Sequence, residues 1–551
     1  MGFDREKLRE KIEKHLHAYV GVQSDTGTVH ERNIEKFFEK WFEDVPYFKE
    51  HPEYRGIFPI PNDHLNRHVP WALLKGEGNE TIVLLHHSDT VDTVDYLHLR
   101  ELSLKPLELE KAMKEGKIFM PEDAKMDLDS GEWVFGRGTN DMKGGAVIHI
   151  AMMEEYAKLK DFKGNLLLIA AADEENLSAG AIGAAYLLKD LMDKFGLEYK
   201  LCLLTERDTS TEGRTLCDGS VGKIMPLIYV SGKIAHVGKV YDGLNPVKLL
   251  AKIVDYLDLN PEFIETNERA TTPAPTFLYA KDHKKIYDVS LPAAASGFMS
   301  FYCFHRAPKE SLELIRKACE QAMSNVISAI NNSFTQYLQI SNARKEPPEW
   351  KVNVKLYGEL YEEALREGGD KFLTAIGKIK GEVKEKVRSG GMTPIEASHE
   401  IIEGTLAFAE DLSPTVIITL VPPYYPYVSN EKLKEKGQFI DSIGDMLIKY
   451  AKEKNGHEYR KVYMTGMCDL SYMMQTDDKE TNDYIENNML MWGDGYYIPF
   501  EKIRRISMPV LNVGPMGRGL HQYTERVFKP DVFYTIPDYV DFIIRKTLGH
   551  E

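Results

Sequence analysis

The stretch Ile82-Val83-Leu84-Leu85-His86-His87-Ser88-Asp89 joins a short, wholly apolar run to a group of polar side chains. Short apolar runs of this kind are typical of strands that are buried on both faces of a largely parallel sheet. Three further runs repeat the pattern, at residues 166–171, 201–204 and 510–513. Helices predicted at about 144–160 and 179–195 alternate with the runs in βαβ order. The sequence therefore predicts an α/β domain built on a mostly parallel sheet.

Each of the four apolar runs is followed by a histidine or a carboxylate, and a glycine-rich loop between the first two runs adds another. These groups are His87, Asp89, Asp141, Glu174, Glu175, Glu206 and His521. Open α/β sheets bind ligands at the carboxyl ends of their strands, so we expect these side chains to converge. Mixed imidazole and carboxylate ligands suit Zn²⁺, and also Mn²⁺ or Co²⁺. Several buried carboxylates also require a cation, because an unpaired buried charge is costly.

Each of these groups also has an ordinary structural interpretation when it is taken alone. A single histidine is more often a hydrogen-bonding residue than a ligand, and Glu-Glu pairs are common where helices begin. The metal interpretation therefore depends on all of the groups occurring together, each at the end of a predicted strand.

The middle of the chain follows a different pattern. Residues 223–357 show a β-α-β-α-β order, which predicts a smaller α/β sandwich inserted into the main domain. Residues 358–412 are charge-rich and helical, and their placement stays open. The apolar run Thr415–Val421 is interpreted as a return to the main sheet. We therefore predict a discontinuous metal-binding catalytic domain at 1–222 and 413–551, interrupted by the smaller domain.

Composition limits the partners and the compartment. The chain has 551 residues and a formal net charge of −16, which argues against nucleic acid or an anionic membrane as the main partner. Its five cysteines are few and widely spaced, which is typical of a reduced, intracellular protein. The N-terminus has no apolar signal segment and no run approaches eighteen apolar residues, so a cytoplasmic protein without a membrane span is expected.

The chain resembles the M20 family of di-zinc aminoacylases, carboxypeptidases and dipeptidases, and more narrowly its RocB branch, which is tied to arginine utilization. The motifs that carry the resemblance are His87-Ser88-Asp89, Gly136-Arg137-Gly138-Thr139-Asn140-Asp141-Met142-Lys143-Gly144, Asp173-Glu174-Glu175, Glu206, His236, and His521 with Glu525. The resemblance implies a zinc-peptidase/phosphorylase-like catalytic domain with an inserted lid or dimerisation domain. It also implies a small-molecule or short-peptide substrate and a possible homodimer formed through the inserted domain.

The resemblance assigns a role to each residue of the convergent set. It implies five ligands for two divalent ions, with His87 and Glu206 on the first ion, Glu175 and His521 on the second, and Asp141 bridging both. Zinc is the expected metal, with cobalt and manganese as alternatives. Asp89 would orient the ring of His87. Glu174 would stay off the metals, take a proton from the water that bridges them and pass it to the leaving amine.

Residues of the inserted domain are implied to act on the substrate. The resemblance gives His236 the role of stabilising the oxyanion, with a simple strand cap as the alternative. Asn245 is expected to cap the following helix and to be a candidate substrate contact. Arg306 is a candidate for binding a substrate carboxylate, although Phe304 replaces the aspartate that usually accompanies this arginine.

Two departures from the family pattern concern the substrate. The segment Cys468-Asp469-Leu470-Ser471 lacks an arginine that the family usually carries there. Arg518, in an altered Gly-Pro loop, could replace that carboxylate anchor or could be a solvated loop residue, and both interpretations stay open.

The leading hypothesis is a two-metal hydrolase that cleaves a peptide, N-acyl or ureido C–N bond of a small amino-acid derivative. The RocB resemblance suggests a substrate related to arginine, ornithine or citrulline, by analogy alone. A second hypothesis is a non-catalytic metal- or ligand-binding or regulatory protein of arginine metabolism on the same scaffold. A third is a hydrolase that uses a single metal ion.

Overall fold

The chain divides into two compact units, each of which combines helices and strands. The computed structural model describes residues 3–207, 213–342, 344, 346, 348–435, 442–466, 468–493 and 495–550. Unit 1 comprises Met1–Ser220, Pro426–Thr476 and Ile498–Glu551. Unit 2 comprises Val221–Tyr425 and Asp477–Tyr497. The predicted α/β class is confirmed, with a discontinuous first unit and a second unit inserted into it.

The described part of the chain forms the strands and helices that are named here in chain order. The strands are β1 Arg55–Pro59, β2 His68–Lys75, β3 Glu77–His87, β4 Trp133–Phe135, β5 Lys163–Ala171, β6 Glu198–Leu204, β7 Arg214–Ser220, β8 Gly222–Ile224, β9 Pro226–Ser231, β10 Thr276–Asp282, β11 Ala294–Cys303, β12 Val354–Leu356, β13 Thr415–Leu420, β14 Val428–Ser429, β15 Tyr459–Met464, β16 Val510–Asn512, β17 Gly517–Arg518 and β18 Arg526–Phe528. The helices are α1 Arg5–Val20, α2 Asn33–Asp44, α3 Pro46–Glu50, α4 Pro106–Lys114, α5 Glu122–Ser130, α6 Lys143–Tyr156, α7 Ala179–Phe195, α8 Pro246–Leu257, α9 Pro308–Ser341, α10 Tyr357–Arg388, α11 Pro394–Leu406, α12 Asn430–Glu435, α13 Ile443–Asn455, α14 Lys479–Asn488, α15 Phe500–Ile506 and α16 Ile536–Thr547.

The main sheet of unit 1 has a parallel centre and antiparallel flanks. Its order is β1-β2-β5-β3-β6-β16-β7-β14, and β15 pairs with β7. Strands β5, β3, β6 and β16 run parallel, and they are the four apolar runs from which the sheet was predicted. Strands β2, β7 and β14 join antiparallel. The sheet is therefore mixed, and its parallel part is smaller than the sequence predicts.

Both faces of strand β3 are buried. Ile82 and Leu84 belong to the core cluster that includes residues of α1, α6 and α16. Val83 and Leu85 are equally buried and lie on the opposite face, since side chains alternate along a strand. On that side α7 packs against β2 and β5. Burial on both faces explains the continuous apolar run.

Unit 2 is built on a second sheet, of order β10-β11-β9-β13-β12, with β8 paired to β11. Strand β13 lies between β9 and β12, so the placement of Thr415–Val421 in the main sheet is wrong. An apolar run predicts a buried strand but does not specify which sheet it joins. Helices α10 and α11 share a core cluster with β9 and β13. The helical segment 358–412, whose placement was open, is therefore part of unit 2.

Glu154 on α6 joins the N-terminal helices to the core of unit 1. It accepts hydrogen bonds from His15 at 2.7 Å and from the indole N–H of Trp41 at 2.9 Å, and it pairs with Lys11 at 2.7 Å. Burial alone would raise the pKa of Glu154, but its bonds to His15 and Lys11 lower that pKa to about 2. The charged carboxylate is therefore stabilised by folding.

Glu154→Gln should lower the free energy of unfolding at pH 7 by about 2 to 4 kcal/mol. The pKa is depressed in the folded state, so this contribution is complete above the ordinary value of 4.5 and is lost as the pH falls toward about 2. The difference between parent and variant should therefore shrink between pH 7 and pH 3 in urea unfolding. Glu10→Gln, at an exposed position of α1, is the matched control. A difference independent of pH would contradict this account.

Among the helices of the described residues, none combines the length and the apolar character that crossing a bilayer requires.

Candidate metal centre

The four parallel strands of unit 1 end at one edge of the sheet. Leu85 of β3 pairs with Ile169 of β5 and with Leu204 of β6, and Leu204 pairs with Asn512 of β16. The polar residues that follow these strands are therefore brought to the same edge, as the sequence predicts. The backbone N–H of Glu206 donates to the side chain of Asn512 at 2.9 Å, which joins two of the strand ends.

Asp141 lies between two imidazole rings. Nε2 of His87 is 3.0 Å from Oδ1 of Asp141, and Nε2 of His521 is 3.4 Å from Oδ2. Nε2 of His521 is also 3.0 Å from Oε1 of Glu175. Each oxygen of one carboxylate thus faces a different histidine, which is the arrangement expected of a group shared by two cations.

Among the described residues, two groups of three side chains have the donor set and spacing to hold a divalent ion. One group is His87, Glu174 and Glu175, and the other is Asp141, Glu175 and His521. The ligand atoms within each group all lie within 4.8 Å of one another. Imidazole and carboxylate donors are those that zinc prefers alongside thiolate. The residues present therefore fit a pair of divalent ions. Glu174, predicted to stay off the metals, lies within one of these groups.

Asp89 holds both the first histidine and the turn after β5. Nδ1 of His87 is 3.2 Å from the backbone oxygen of Asp89 and 3.6 Å from its carboxylate. The two carboxylate oxygens of Asp89 accept the backbone N–H groups of Glu174 and Glu175, at 3.1 and 3.2 Å. Asp89 is fully buried. One side chain thus positions residues from two strands.

Glu525 fixes the loop that carries Asp141. Its Oε1 accepts the backbone N–H groups of Asn140 and Asp141, at 3.1 and 3.2 Å. Its Oε2 accepts a bond from Arg137 at 2.8 Å. The glutamate that accompanies His521 in the sequence motif therefore acts on the backbone of the Asp141 loop.

The centre holds more acidic groups than basic ones. Burial, and Glu175 and Glu206 nearby, raise the pKa of Glu174 well above its usual range. Burial raises the pKa of Glu206 to about 7 and that of Asp469 to about 8. Bonds to Asp141 and Glu175 raise the pKa of His521 to about 10. Carboxylates crowded in this way favour the binding of cations.

Arg207 also lies in the centre, although it is not among the residues predicted from the sequence. Its Nη1 is 2.8 Å from Oε1 of Glu206 and 2.9 Å from Oδ2 of Asp141. The side chain is only 12% exposed. The residue directly follows a predicted ligand, which is the one signal in the sequence that could have selected it.

A buried arginine supports the turn that bears Glu174 and Glu175. Arg67 pairs with Asp173, Glu31 and Asp63, and its side chain is 4% exposed. Asp173 has a positive φ of 68°, a conformation that is uncommon for residues other than glycine. Burial and the nearby carboxylates raise the pKa of Glu31 well above its usual range. Arg67 thus compensates buried carboxylates directly before Glu174.

Arg67→Met should lower the free energy of unfolding by about 3 to 5 kcal/mol, because it leaves Asp63 and Asp173 buried without their cation. Denaturant unfolding of both proteins would measure the loss. Arg55→Met provides a control, since Arg55 on the edge strand β1 pairs with Glu43, a more exposed glutamate on α2. A loss below about 1 kcal/mol for Arg67→Met would show that the network contributes little.

Comparison with known proteins identifies the family. A model described as peptidase family M20/M25/M40 matches residues 119–481, which is more than half of the chain. The chain belongs to this peptidase family. The match begins after His87 and ends before His521, so the place of these two histidines in the centre rests on the geometry.

Two full-length relatives of this M20-family chain come from Bacillus subtilis (strain 168). Protein YqjN is 31% identical and the aligned region covers 97% of this chain and 95% of YqjN. Protein RocB is 26% identical over 98% of this chain and 95% of its own length. The predicted resemblance to the M20 family and its RocB branch is therefore confirmed.

The solved structures agree on the fold. The dipeptidase Dug1p from Saccharomyces cerevisiae superposes with a TM-score of 0.53 at 11% identity, covering 99% of each chain.

Family membership makes the M20 chain a metal-dependent hydrolase, as predicted.

Three residues predicted to act on substrate lie in unit 2 of the M20 chain. His236 is exposed, and its Nδ1 accepts the backbone N–H of Gly238 at 3.0 Å. Asn245 caps α8 by accepting the N–H of Val247 at 2.9 Å, so the predicted cap is confirmed. The guanidinium of Arg306 donates to the backbone oxygen of Phe263 at 3.2 Å.

Arg518 in unit 1 is held by other side chains. Its Nη1 is 2.9 Å from Asp127, and its guanidinium lies over the ring of Trp133, 5.1 Å from the ring centre. The side chain is about half exposed. These contacts fix the position of Arg518 on the small sheet β17-β18-β4.

Proposed function

We propose that this chain is a two-metal hydrolase that cleaves an amide bond of a small amino-acid derivative. The observation that carries the proposal is the position of Asp141, whose two oxygens face His87 and His521. A carboxylate so placed can hold two ions together. Glu175 would serve the second ion, and Glu206 the first. Zinc suits this donor set best, and cobalt and manganese are alternatives.

Two bound divalent ions would supply the activation of a water molecule and the polarisation of the scissile carbonyl. The chain's own residues would hold the ligands and move the protons. Asp89 keeps the ring of His87 and the Glu174 backbone in place. Glu174 would take a proton from the attacking water and pass it to the nitrogen of the leaving amine.

The buried position of Glu174 supports its role as the base. It is 4% exposed and lies beside His87 and Glu175. Burial and neighbouring carboxylates raise its pKa, which is the direction required of a group that accepts a proton near neutral pH.

The family and the sequence resemblance support the proposed substrate class. A peptidase of this family acts on an amide, and the RocB relationship favours derivatives of arginine, ornithine or citrulline. A panel of arginine-containing dipeptides, N-acyl-ornithines and citrulline should include at least one hydrolysed compound when the protein is loaded with zinc or manganese. Chelation should abolish that hydrolysis, and Zn²⁺, Co²⁺ or Mn²⁺ should restore it. Full activity of the metal-free protein would contradict the proposal.

The competing functions differ in measurable ways. A non-catalytic binding protein would hold metal and ligand but would hydrolyse nothing across a wide amide panel. A single-metal hydrolase would carry about one tightly bound ion per chain at full activity. A binding protein without catalytic activity needs no general base. The presence of Glu174 therefore favours the enzyme hypothesis over the binding-protein hypothesis.

We extend the proposal to four residues outside the metal set. His236 would stabilise the oxyanion, because an Nδ1 that accepts a bond leaves the ring proton on Nε2. Asn245 and Arg306 would contact substrate, and Arg518 would do so if it exchanged Asp127 for a substrate carboxylate. His236→Ala should lower kcat, and unchanged kinetics would count against its role.

We also propose that unit 2 mediates a homodimer. Two paired segments of unit 2 expose apolar side chains, with Ile286 75% and Tyr287 89% exposed, and Ile234 and Val237 more than half exposed. The segments are joined by a backbone bond from Val237 to Val289. Light scattering should give twice the chain mass, and Ile286→Glu with Tyr287→Glu should reduce it to one chain.

A further inference from the structure

Glu206 differs from the other acidic groups of the centre in what it contacts. Neither group of three metal-binding side chains found among the described residues includes Glu206. Its Oε1 is instead 2.8 Å from Nη1 of Arg207, and the same nitrogen is 2.9 Å from Oδ2 of Asp141. One guanidinium nitrogen therefore joins the two carboxylates that the proposed function assigns to the first ion.

The contacts of Arg207 are strong ones. Charge-assisted bonds between a guanidinium and carboxylates are about twice as strong as neutral hydrogen bonds, and these lie in a largely buried site. In the absence of other cations this pairing compensates two buried negative charges, so it stabilises the fold.

The same pairing opposes the binding of a metal ion. A zinc ion binds carboxylate oxygen at about 2.0 to 2.2 Å. Oε1 of Glu206 already accepts a bond from Arg207 at 2.8 Å. A divalent ion held by Glu206 would also stand a few ångströms from a like charge that lies in a medium of low polarity. An ion that binds at Glu206 therefore competes with Arg207 for this oxygen.

We propose that Arg207 is a built-in counter-ion that competes with a divalent cation for the Asp141–Glu206 pair, which makes the two cation subsites unequal. The subsite formed by Asp141, Glu175 and His521 already has its ligand atoms within 4.8 Å of one another, and Arg207 contacts only Oδ2 of Asp141 there, so this subsite binds its ion more tightly. The subsite that includes Glu206 binds more weakly, because Glu206 lies outside both ligand groups and the ion competes with the guanidinium for Oε1. This inference rests on the proposed two-metal function and adds to it the residue that sets the affinity of the ion held by Glu206.

Titration of the metal-free protein with Co²⁺, followed by visible absorption and by calorimetry, tests the competition. The parent should bind two ions in separate steps. Arg207→Gln should tighten the weaker step by about tenfold or more and change the tighter step much less. Metal-free Arg207→Gln should also unfold at a lower temperature than the parent. The variant therefore has opposite effects on metal-free stability and on cation affinity.

Two further variants serve as controls. Arg214→Gln removes a guanidinium that pairs with Asp531 through two nitrogens, at 2.7 and 2.8 Å, outside the centre. It should lower the unfolding temperature and leave both binding steps unchanged. Arg207→Lys keeps the charge but loses the planar fork, so it should tighten the weaker step by about threefold. If Arg207→Gln does not fold, this lysine variant decides the question.

The outcomes separate the two proposals. Two binding steps in the parent with the same affinities in both Arg207 variants would overturn the role of Arg207 and leave the two-metal function intact. Weaker binding in the variants would also overturn it, since Arg207 would then position the ligands. One ion in the parent and two in Arg207→Gln would support the competition. One ion in every protein would overturn both the competition and the two-metal function.

Discussion

Glu174→Gln should lower kcat by about 10²- to 10⁴-fold while two divalent ions remain bound. Glutamine has nearly the same shape as glutamate, so the buried site should keep its packing. Its amide cannot take a proton from water or pass one to a leaving amine. The backbone N–H of residue 174 should still donate to Asp89, so the turn after β5 should be unaffected.

The measurement for Glu174→Gln combines steady-state kinetics with metal analysis on the same preparation. Glu155→Gln is the matched control, because Glu155 is a largely buried glutamate on α6 that pairs with lysines outside the centre. That control should keep the parent's turnover. If Glu174→Gln lowers kcat by less than about threefold, Glu174 is not the general base. If Glu174→Gln loses a bound ion as well as turnover, Glu174 is a metal ligand.

Asp141→Ala should abolish turnover and should remove both tightly bound ions. The two oxygens of Asp141 face His87 and His521, and its removal takes a ligand from each subsite. Loss of a single non-bridging ligand, as in His521→Ala, should weaken mainly the ion on its own side. The bridging position therefore predicts a larger effect than any other single ligand change.

Metal content measured by plasma emission spectroscopy, with kinetics on the same sample, would test Asp141→Ala. Asp541→Ala is a suitable control, because Asp541 pairs with Tyr156 and Arg545 on α16 and contacts no residue of the centre that we describe. The Asp541→Ala protein should be somewhat less stable than the parent and should still bind both ions. Retention of two ions by Asp141→Ala would show that this carboxylate does not bridge.

The strand ends of the centre could be predicted from sequence because their signal is local. In β3 the apolar run of Ile82–Leu85 is followed within four residues by His87 and Asp89, and Glu174 comes three residues after the end of β5. The parallel register then brings the ends together without further information. The same local signal could not assign β13 to its sheet, since its partner β9 lies almost two hundred residues earlier.

The supporting charges could not be predicted, because each depends on a distant partner. Arg67 pairs with Asp173, which is 106 residues away, and an arginine beside a turn is ordinarily a solvated residue. Glu525 acts on the backbone of Asn140, 385 residues away. Arg207 follows Glu206 directly, but only the fold shows that its guanidinium turns back toward the carboxylates. Electrostatic compensation is set by tertiary contacts, which a linear pattern does not contain.

The most direct test of a two-metal amide hydrolase is the recovery of turnover as ions are returned to the chelated protein. The panel compound that the parent hydrolyses fastest would serve as substrate, and Zn²⁺ or Co²⁺ would be added in known equivalents. We expect little or no turnover without metal, a small gain with the first equivalent and most of the recovery with the second. Full turnover in the metal-free protein, or a plateau after one equivalent, would contradict the paired-ion centre.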